Sequence, residues 1–190
     1  MTGHIRTDLK IVYGTSLRGG EGIVIVAGGT HEGSFYARSE EEVRNFIDHV
    51  MNDLIQGGRT SDGFEIMPEY ATVCIVGGEY PNETSERWPS NYLHVAVNVN
   101  SGYGALRWFS SEVLEGASED HVSRFVWISE NPDPPSFDPR LILDPPTPLY
   151  YPSEAALPVE KVREVLEEYC QELTGARPES IRWMLDQSSL

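Results

Sequence analysis

The feature that most constrains the fold of this chain is a long alternating segment at residues 92–110. In its first half apolar residues alternate with polar or small ones, Leu93, Val95, Val97 and Val99 against His94, Ala96 and Asn98. In a β-strand such alternation places the two kinds of side chain on opposite faces. Residues 100–104 then supply a glycine-bearing turn, and residues 105–109 return. We therefore predict an antiparallel hairpin that forms part of a larger sheet.

Other short runs rich in β-branched or aromatic residues predict further strands, at residues 9–13, 23–27, 34–37, 70–76, 125–128 and 180–184. The first two flank a glycine-rich turn, so residues 1–34 are interpreted as an N-terminal hairpin extension. Residues 28–33 read as another turn. Residues 70–76 are apolar on both faces, which indicates a central strand.

Two helices are predicted, at residues 39–56 and 158–174. Ser39 and Glu42 have the spacing of a capping box, and an apolar stripe at helical spacing follows them. Glycines at 57 and 58 are expected to end the first helix. Pro158 is placed like the first residue of the second helix, and Gly175 like its C-terminal cap.

The elements predict one α+β domain, a mostly antiparallel sheet of short strands with two long helices packed on one face. A length of 190 residues suits a single domain. Residues 130–148 contain seven prolines and four acidic residues. Because that density excludes a helix or a central strand, this segment is predicted to be an ordered surface loop or an extended edge.

The charge excludes several classes of partner. Thirty acidic residues against fourteen basic ones give a formal net charge of −16. Such a field repels nucleic acid and anionic membranes and speeds encounter with basic proteins, although solubility alone would also explain it. The first residues lack the apolar core of a signal peptide, and no apolar run is long enough to span a bilayer. We therefore expect a cytoplasmic protein.

No recognisable catalytic motif is present in the sequence, neither a phosphate-binding glycine loop nor a serine-nucleophile or zinc-protease motif. The cysteines Cys74 and Cys170 lack metal-ligand spacing and are predicted to be buried thiols. A Cys74/His94 dyad is the best candidate for a catalytic centre, since both residues lie on predicted strands. We expect no cofactor, no metal and no enzymatic activity.

Two segments are candidate contact surfaces for a basic partner. The loop at 79–91 and the residue after it combine aromatic and acidic side chains, namely Tyr80, Glu83, Glu86, Trp88 and Tyr92. The alternative for Trp88 is that it folds back as a lid over the core. The proline-rich segment offers a second face with Asp133, Asp138 and Asp144.

Two parts of the chain resemble immunity protein family 1 of bacterial polymorphic toxin systems. One is the hairpin LHVAVNVNSGYGALRWFS at 93–110 with the proline-rich stretch after it. The other is the end of the chain, where Tyr151-Pro152 precedes the second helix and TGARPESIRW spans 174–183. The resemblance covers roughly residues 35–184.

The resemblance implies a small cytosolic α+β protein that binds and blocks a cognate toxin, in many members a nucleic-acid deaminase. The family pattern includes a prominent tryptophan, which Trp108 or Trp183 would match. Our hypothesis is therefore steric and electrostatic occlusion of the active site of a basic toxin. Two alternatives stay open: a non-catalytic scaffold for another basic partner, and an enzyme with an unrecognised Cys/His site.

Overall fold

The computed structural model describes residues 18–19, 22–23, 25–76, 89, 91–110 and 126–189. Its α-helices in these ranges are α1 (Glu40–Asn52) and α2 (Val159–Glu172). The strands are β1 (Arg18–Gly19), β2 (Gly22–Ile23), β3 (Ile25–Thr30), β4 (Gly33–Ala37), β5 (Gln56–Arg59), β6 (Glu65–Pro68), β7 (Tyr70–Val76), β8 (Asn91–Asn98), β9 (Tyr103–Ser110), β10 (Trp127–Glu130), β11 (Ile142–Asp144), β12 (Leu149–Tyr150), β13 (Leu157–Pro158) and β14 (Arg182–Leu185). Neither α-helix is long and apolar enough to cross a bilayer.

The main sheet runs in the order β14-β10-β9-β8-β7-β3-β4, and β13 pairs with β9 beside β10. Every neighbouring pair in it is antiparallel. The predicted central hairpin is confirmed, since β8 and β9 pair from Asn91↔Ser110 to Asn98↔Tyr103. Strand β7 lies between β3 and β8, as its two apolar faces predicted. The α+β fold class is therefore as expected.

Both helices pack on one face of this sheet. At the start of α1 the Ser39 hydroxyl accepts the Glu42 backbone N–H, and the Glu42 carboxylate accepts the Ser39 N–H, each at 3.2 Å. Apolar side chains of both helices then fill a common core with the inward residues of the strands, including Phe46, Val50, Val73, Val95, Leu106, Val165 and Leu166. An ion pair of 2.8 Å between Arg163 and Asp48 connects the helices at the surface.

The proline-rich segment covers part of the opposite face of the sheet. Residues 141–143 are buried against Ala96, Ala105 and Ile128 in a second core. The segment was predicted to be an ordered surface loop or an extended edge. Part of it is extended as β11, but residues 141–143 are buried and do not lie at the surface. Three consecutive apolar residues lie between its prolines, and burying them outweighs the low strand propensity around them.

The first helix is shorter than its predicted range of 39–56. It ends at Asn52, and the two glycines expected to stop it lie in β5, with φ angles of +79° and +146°. Strand β5 pairs with β6 in a hairpin outside the main sheet. The sequence analysis did not predict this hairpin, because glycine and proline are depleted in strands.

Smaller differences concern element boundaries. Pro158 precedes α2 as its N-cap and belongs to β13. The first left-handed residue after α2 is Leu173, with Gly175 two residues later. The turn predicted at 28–33 is confined to the two residues between β3 and β4. The predicted strand at 9–13 lies outside the described residues.

Candidate interaction surface

The predicted contact residues fall into three groups. Tyr80, Glu83, Glu86 and Trp88 lie in the range 77–88, outside the described residues. Tyr92 lies at the start of β8, whereas Asp133 and Asp138 belong to the segment that meets the far end of that strand. Six residues of strand separate the two ends of β8, which corresponds to roughly 20 Å. The structure thus does not bring Tyr92 together with the two aspartates.

Tyr92 belongs to a row of aromatic rings on the sheet face opposite the helices. It stacks on Phe109 with ring centroids 4.7 Å apart and meets His94 edge-on at 6.5 Å. His94 stacks in turn on Tyr70 at 4.7 Å. All four side chains are only partly exposed. Their contacts with one another indicate that this row contributes mainly to packing.

Cys74 and His94 lie on the same sheet face but form no dyad. His94 pairs with Thr72, so Cys74 is two residues further along β7. The Cys74 thiol donates to the carbonyl oxygen of Ala27 at 3.6 Å, and burial raises its pKa to about 12. Burial, together with the charge on Arg107, lowers the pKa of His94 to about 4. A thiol that stays protonated is a poor nucleophile.

Several other titratable groups of the described residues form ion pairs, and none of them forms a metal site. No group of three or more His, Cys, Asp or Glu side chains within the described ranges could hold a metal ion. Arg107 reaches across β10 to the buried carboxylate of Asp186, with Nε and Oδ2 2.8 Å apart. Cys170 is a free thiol like Cys74, and burial raises its pKa to about 12 as well. The two buried thiols agree with the sequence prediction.

Exposed apolar side chains are concentrated at one end of the sheet. In the described residues the large exposed ones are Phe64, Ile66, Val99, Phe137, Leu149 and Leu185. The first five belong to three segments that meet where β8 turns into β9, whereas Leu185 lies on the edge strand β14. We call these five residues the turn-end surface. Val99 was expected inside the strand, but β8 ends one residue before it.

The β5–β6 hairpin contributes Phe64 and Ile66 and is fixed to the turn at its base. The side-chain oxygen of Gln56 accepts the backbone N–H of Val99 at 2.9 Å. Just beyond the hairpin, the Glu69 carboxylate accepts the backbone N–H of Ile55 at 3.1 Å. The position of the hairpin next to the β8–β9 turn is therefore set by hydrogen bonds.

Phe64 is exposed to solvent at the tip of this hairpin. The N–H of Thr60 donates to the carbonyl of Phe64 at 2.8 Å, and the N–H of Phe64 donates to the Thr60 hydroxyl at 3.0 Å. Gly63 adopts the left-handed conformation that closes the tip. The Phe64 side chain is 73% exposed. An exposed phenylalanine on a backbone fixed by its own hydrogen bonds becomes informative where other exposed apolar residues accompany it.

The proline-rich segment brings Phe137 to the same end. The Asn98 side chain, at the end of β8, donates to the carbonyl of Pro139 at 2.8 Å. Two residues earlier, the Phe137 ring packs edge-on against Tyr103 with centroids 5.7 Å apart. Phe137 is nevertheless 51% exposed. The Phe137 ring thus contacts the β8–β9 hairpin through Tyr103 and is otherwise exposed to solvent.

Leu149 is joined to this region through Arg140. The Arg140 guanidinium donates to the Tyr150 hydroxyl at 2.9 Å and lies 4.7 Å from the centre of that ring. Arg140 also lines a small recess together with Gln56 and Asn98. The three segments of the turn-end surface therefore meet around one recess.

Acidic side chains surround the two exposed phenylalanines. Four exposed carboxylates flank them in sequence, Asp62 and Glu65 around Phe64 and Asp133 and Asp138 around Phe137. Arg59, in register with Glu65 across the hairpin, and Arg140 are the basic residues of the same segments. Over these two segments, 56–68 and 130–148, six acidic residues stand against the two arginines, a net charge of −4. Exposed carboxylates thus neighbour both exposed phenylalanines along the chain.

Both candidate family tryptophans make internal contacts. Trp108 is fully buried, and its indole N–H donates to the carbonyl of Gly175 at 3.1 Å. Trp183 is half-buried, donates to the carbonyl of Pro178 at 2.7 Å and lies 6.0 Å from the Arg177 guanidinium. These contacts give each tryptophan a place in the packing of the chain.

Sequence reasoning missed the apolar part of this surface. Phe64 and Ile66 belong to a hairpin that was not predicted, and Val99 was assigned to a strand. Phe137 stood in a segment noted only for its prolines and aspartates. The one available signal was the position of a phenylalanine between acidic residues in each loop.

The comparisons with known proteins give one match. The model of the family described as "Immunity protein Imm1" matches residues 31–185. The match includes both helices, every strand of the main sheet except β3, and all five residues of the turn-end surface. No curated protein and no solved structure matches the chain.

Proposed function

The chain belongs to the Imm1 family of immunity proteins, and from that premise we propose that it neutralises a cognate toxin by binding over the toxin's active site. The family match over residues 31–185 is the observation that carries the proposal.

The distribution of charge supports a basic toxin. Helix α1 contains four acidic residues and one basic residue, and α2 contains five and two, so each helix carries a charge of −3. With a net charge of −16, the protein attracts basic surfaces and accelerates encounter with them. A toxin that acts on nucleic acid needs such a surface to hold phosphates. We therefore propose a nucleic-acid-targeting toxin; the deaminase type is what the resemblance to the family implies.

The proposed inhibition is stoichiometric occlusion. The bound protein would cover the basic groups that hold the nucleic acid, so substrate and inhibitor would compete for them. This mechanism requires no cofactor and no reacting side chain from this chain. It operates where the toxin is made, in the cytoplasm of the producing cell.

Co-purification tests the function directly. The toxic domain encoded beside the gene, with its catalytic residue replaced, is mixed with the purified protein and the complex is isolated by size exclusion. We expect a stable 1:1 complex and, with the active toxin, inhibition that is complete at one equivalent and is relieved by excess nucleic acid.

Two outcomes would contradict this proposal. Absence of a complex at micromolar concentration and moderate salt would contradict toxin binding. A complex that leaves the toxin fully active would contradict occlusion while keeping the binding. An unrelated basic protein of similar size, such as lysozyme, is the control for attraction by charge alone.

A further inference from the structure

Resting on the proposed function, we propose that the toxin binds at the turn-end surface, with Phe64 and Phe137 as its apolar anchors. Both rings are more than half exposed and stand on different segments at the same end of the sheet. Single exposed apolar side chains are ordinary on a protein surface, whereas a group of them with a polar border marks an interaction site. Here five of the six described ones belong to three segments that meet around one recess at the β8–β9 turn.

The chemistry of the surface specifies the kind of site it would fit on the toxin. Binding energy in protein interfaces comes mostly from a few buried anchors near the centre, within a polar rim. Phe64 and Phe137 have the exposure of such anchors, and the four flanking carboxylates form the rim. The matching site is an apolar pocket bordered by lysine or arginine side chains.

The same charges disfavour a second copy of this chain as the occupant. A symmetric dimer through this surface would bring together two copies of segments that carry a net charge of −4, within two molecules of −16 each. Like charges brought together in an interface cost binding energy. A basic partner would be attracted to this surface, so the charge favours the toxin as its occupant.

The geometry also favours tight binding because little of the surface has to be ordered. The Phe64 loop is closed by hydrogen bonds to Thr60, and Phe137 is held by Tyr103. Segments fixed before association avoid the entropy cost of ordering on binding. Replacing the rings should therefore act mainly on the dissociation rate.

The test compares Phe64→Ser, Phe137→Ser and the double variant with Leu185→Ser. Leu185 is the matched control, because it is also a large apolar residue, 42% exposed, but lies on the edge strand β14. The probe is the inactivated toxic domain encoded beside the gene, and binding kinetics and thermal unfolding are measured for each variant. We expect each phenylalanine variant to weaken binding at least about tenfold and the double variant at least about 100-fold, with Leu185→Ser within about twofold of wild type.

The outcomes separate this inference from the proposed function. If the wild-type protein does not bind the toxic domain, both fail together. If it binds and the double variant binds equally well with an unchanged melting temperature, only the turn-end surface is excluded. If the wild-type protein forms a dimer that the double variant does not, and toxin affinity is the same, the surface serves self-association and the inference is wrong.

Discussion

The indole N–H of Trp108 donates a hydrogen bond of 3.1 Å to the carbonyl oxygen of Gly175, which joins β9 to the segment that follows α2. Gly175 lies in turn against Asn91, whose side chain bonds to both backbone groups of Ile75 at 2.9 and 3.0 Å. The Tyr169 hydroxyl donates to the same Asn91 oxygen at 2.5 Å. These buried contacts connect β7, β8, β9 and α2 through residues far apart in sequence.

Replacing Trp108 is expected to reduce stability rather than partner binding. Trp108→Ala removes a fully buried indole and should lower the free energy of unfolding by about 3–5 kcal/mol. Trp108→Phe keeps much of the volume but leaves the Gly175 carbonyl without its donor, which costs about 1–3 kcal/mol. Urea unfolding measures both. A Trp108→Phe protein with wild-type stability and lost toxin binding would instead place Trp108 in the interface.

Gly175→Ala should be more destabilising than Gly102→Ala, although both glycines have similar positive φ angles of +70° and +75°. A Cβ at 175 would lie 2.4 Å from Cγ of Asn91, whereas one at 102 would meet nothing within 4 Å. Gly102→Ala therefore reports only the left-handed strain, about 1–2 kcal/mol. The difference in thermal stability between the two variants measures the cost of displacing the Asn91 side chain. Equal losses would show that the Asn91 side chain moves aside freely.

The sequence predicted the parts of the fold that depend on local pattern. The hairpin at 92–110 and the start of α1 follow from alternation and from a capping box, which act within a few residues. The contact of Trp108 with Gly175 depends on tertiary packing across 67 positions. No local sequence pattern shows that the segment after α2 packs against the β8–β9 hairpin.

The candidate surface was less predictable than the fold for a related reason. Phe64 is exposed because it lies at the tip of a glycine-containing hairpin that is not part of the main sheet, and such a hairpin has no alternating pattern to reveal it. Tyr92, predicted as a contact residue, is partly exposed and stacks on Phe109 within the sheet, and its role in binding stays a prediction. Composition identifies residues suited to an interface, whereas their exposure depends on the whole fold.

Both thiols should be unreactive in the folded protein. Burial raises the pKa of Cys74 and of Cys170 to about 12, above the ordinary value of 9.0. Ellman's reagent at mildly alkaline pH should therefore modify neither cysteine until urea unfolds the chain, and then both. Rapid modification of one thiol under native conditions would contradict its burial. Cys74→Ala and Cys170→Ala, each measured alone, assign any reactive thiol.

The same shifts predict a loss of stability in alkali. A thiol whose folded pKa is raised contributes stability fully below pH 9, and this contribution falls as the pH rises toward 12 because only the unfolded chain then ionises. The free energy of unfolding should decrease in that window, and Cys74→Ala should decrease less steeply than wild type. Identical slopes would show that the Cys74 thiol is as accessible folded as unfolded.

His94 predicts a loss of stability in mild acid. Burial and the Arg107 charge lower its pKa to about 4 from 6.5, so the unfolded chain takes up a proton that the folded chain does not. The contribution of His94 is therefore present above pH 6.5 and lost as the pH falls toward 4, about 1 kcal/mol between about pH 7 and about pH 5.5. Urea midpoints measure this change, and His94→Gln should remove it. A variant with the wild-type slope would assign the loss to other groups.

Charge reversal in the loop at 79–91 should slow toxin association without speeding dissociation. Glu83→Lys with Glu86→Lys changes the net charge from −16 to −12, which weakens long-range attraction to a basic toxin. Glu160→Lys with Glu164→Lys on the exposed side of α2 makes the same change in net charge and serves as the control. Stopped-flow association across a salt series separates the two variants.

If both variants slow association equally, the loop acts only through net charge. A greater effect of the loop pair shows that the toxin passes close to the loop as it associates. A faster dissociation rate for the loop pair alone would place Glu83 and Glu86 in direct contact with the toxin and add that loop to the interface.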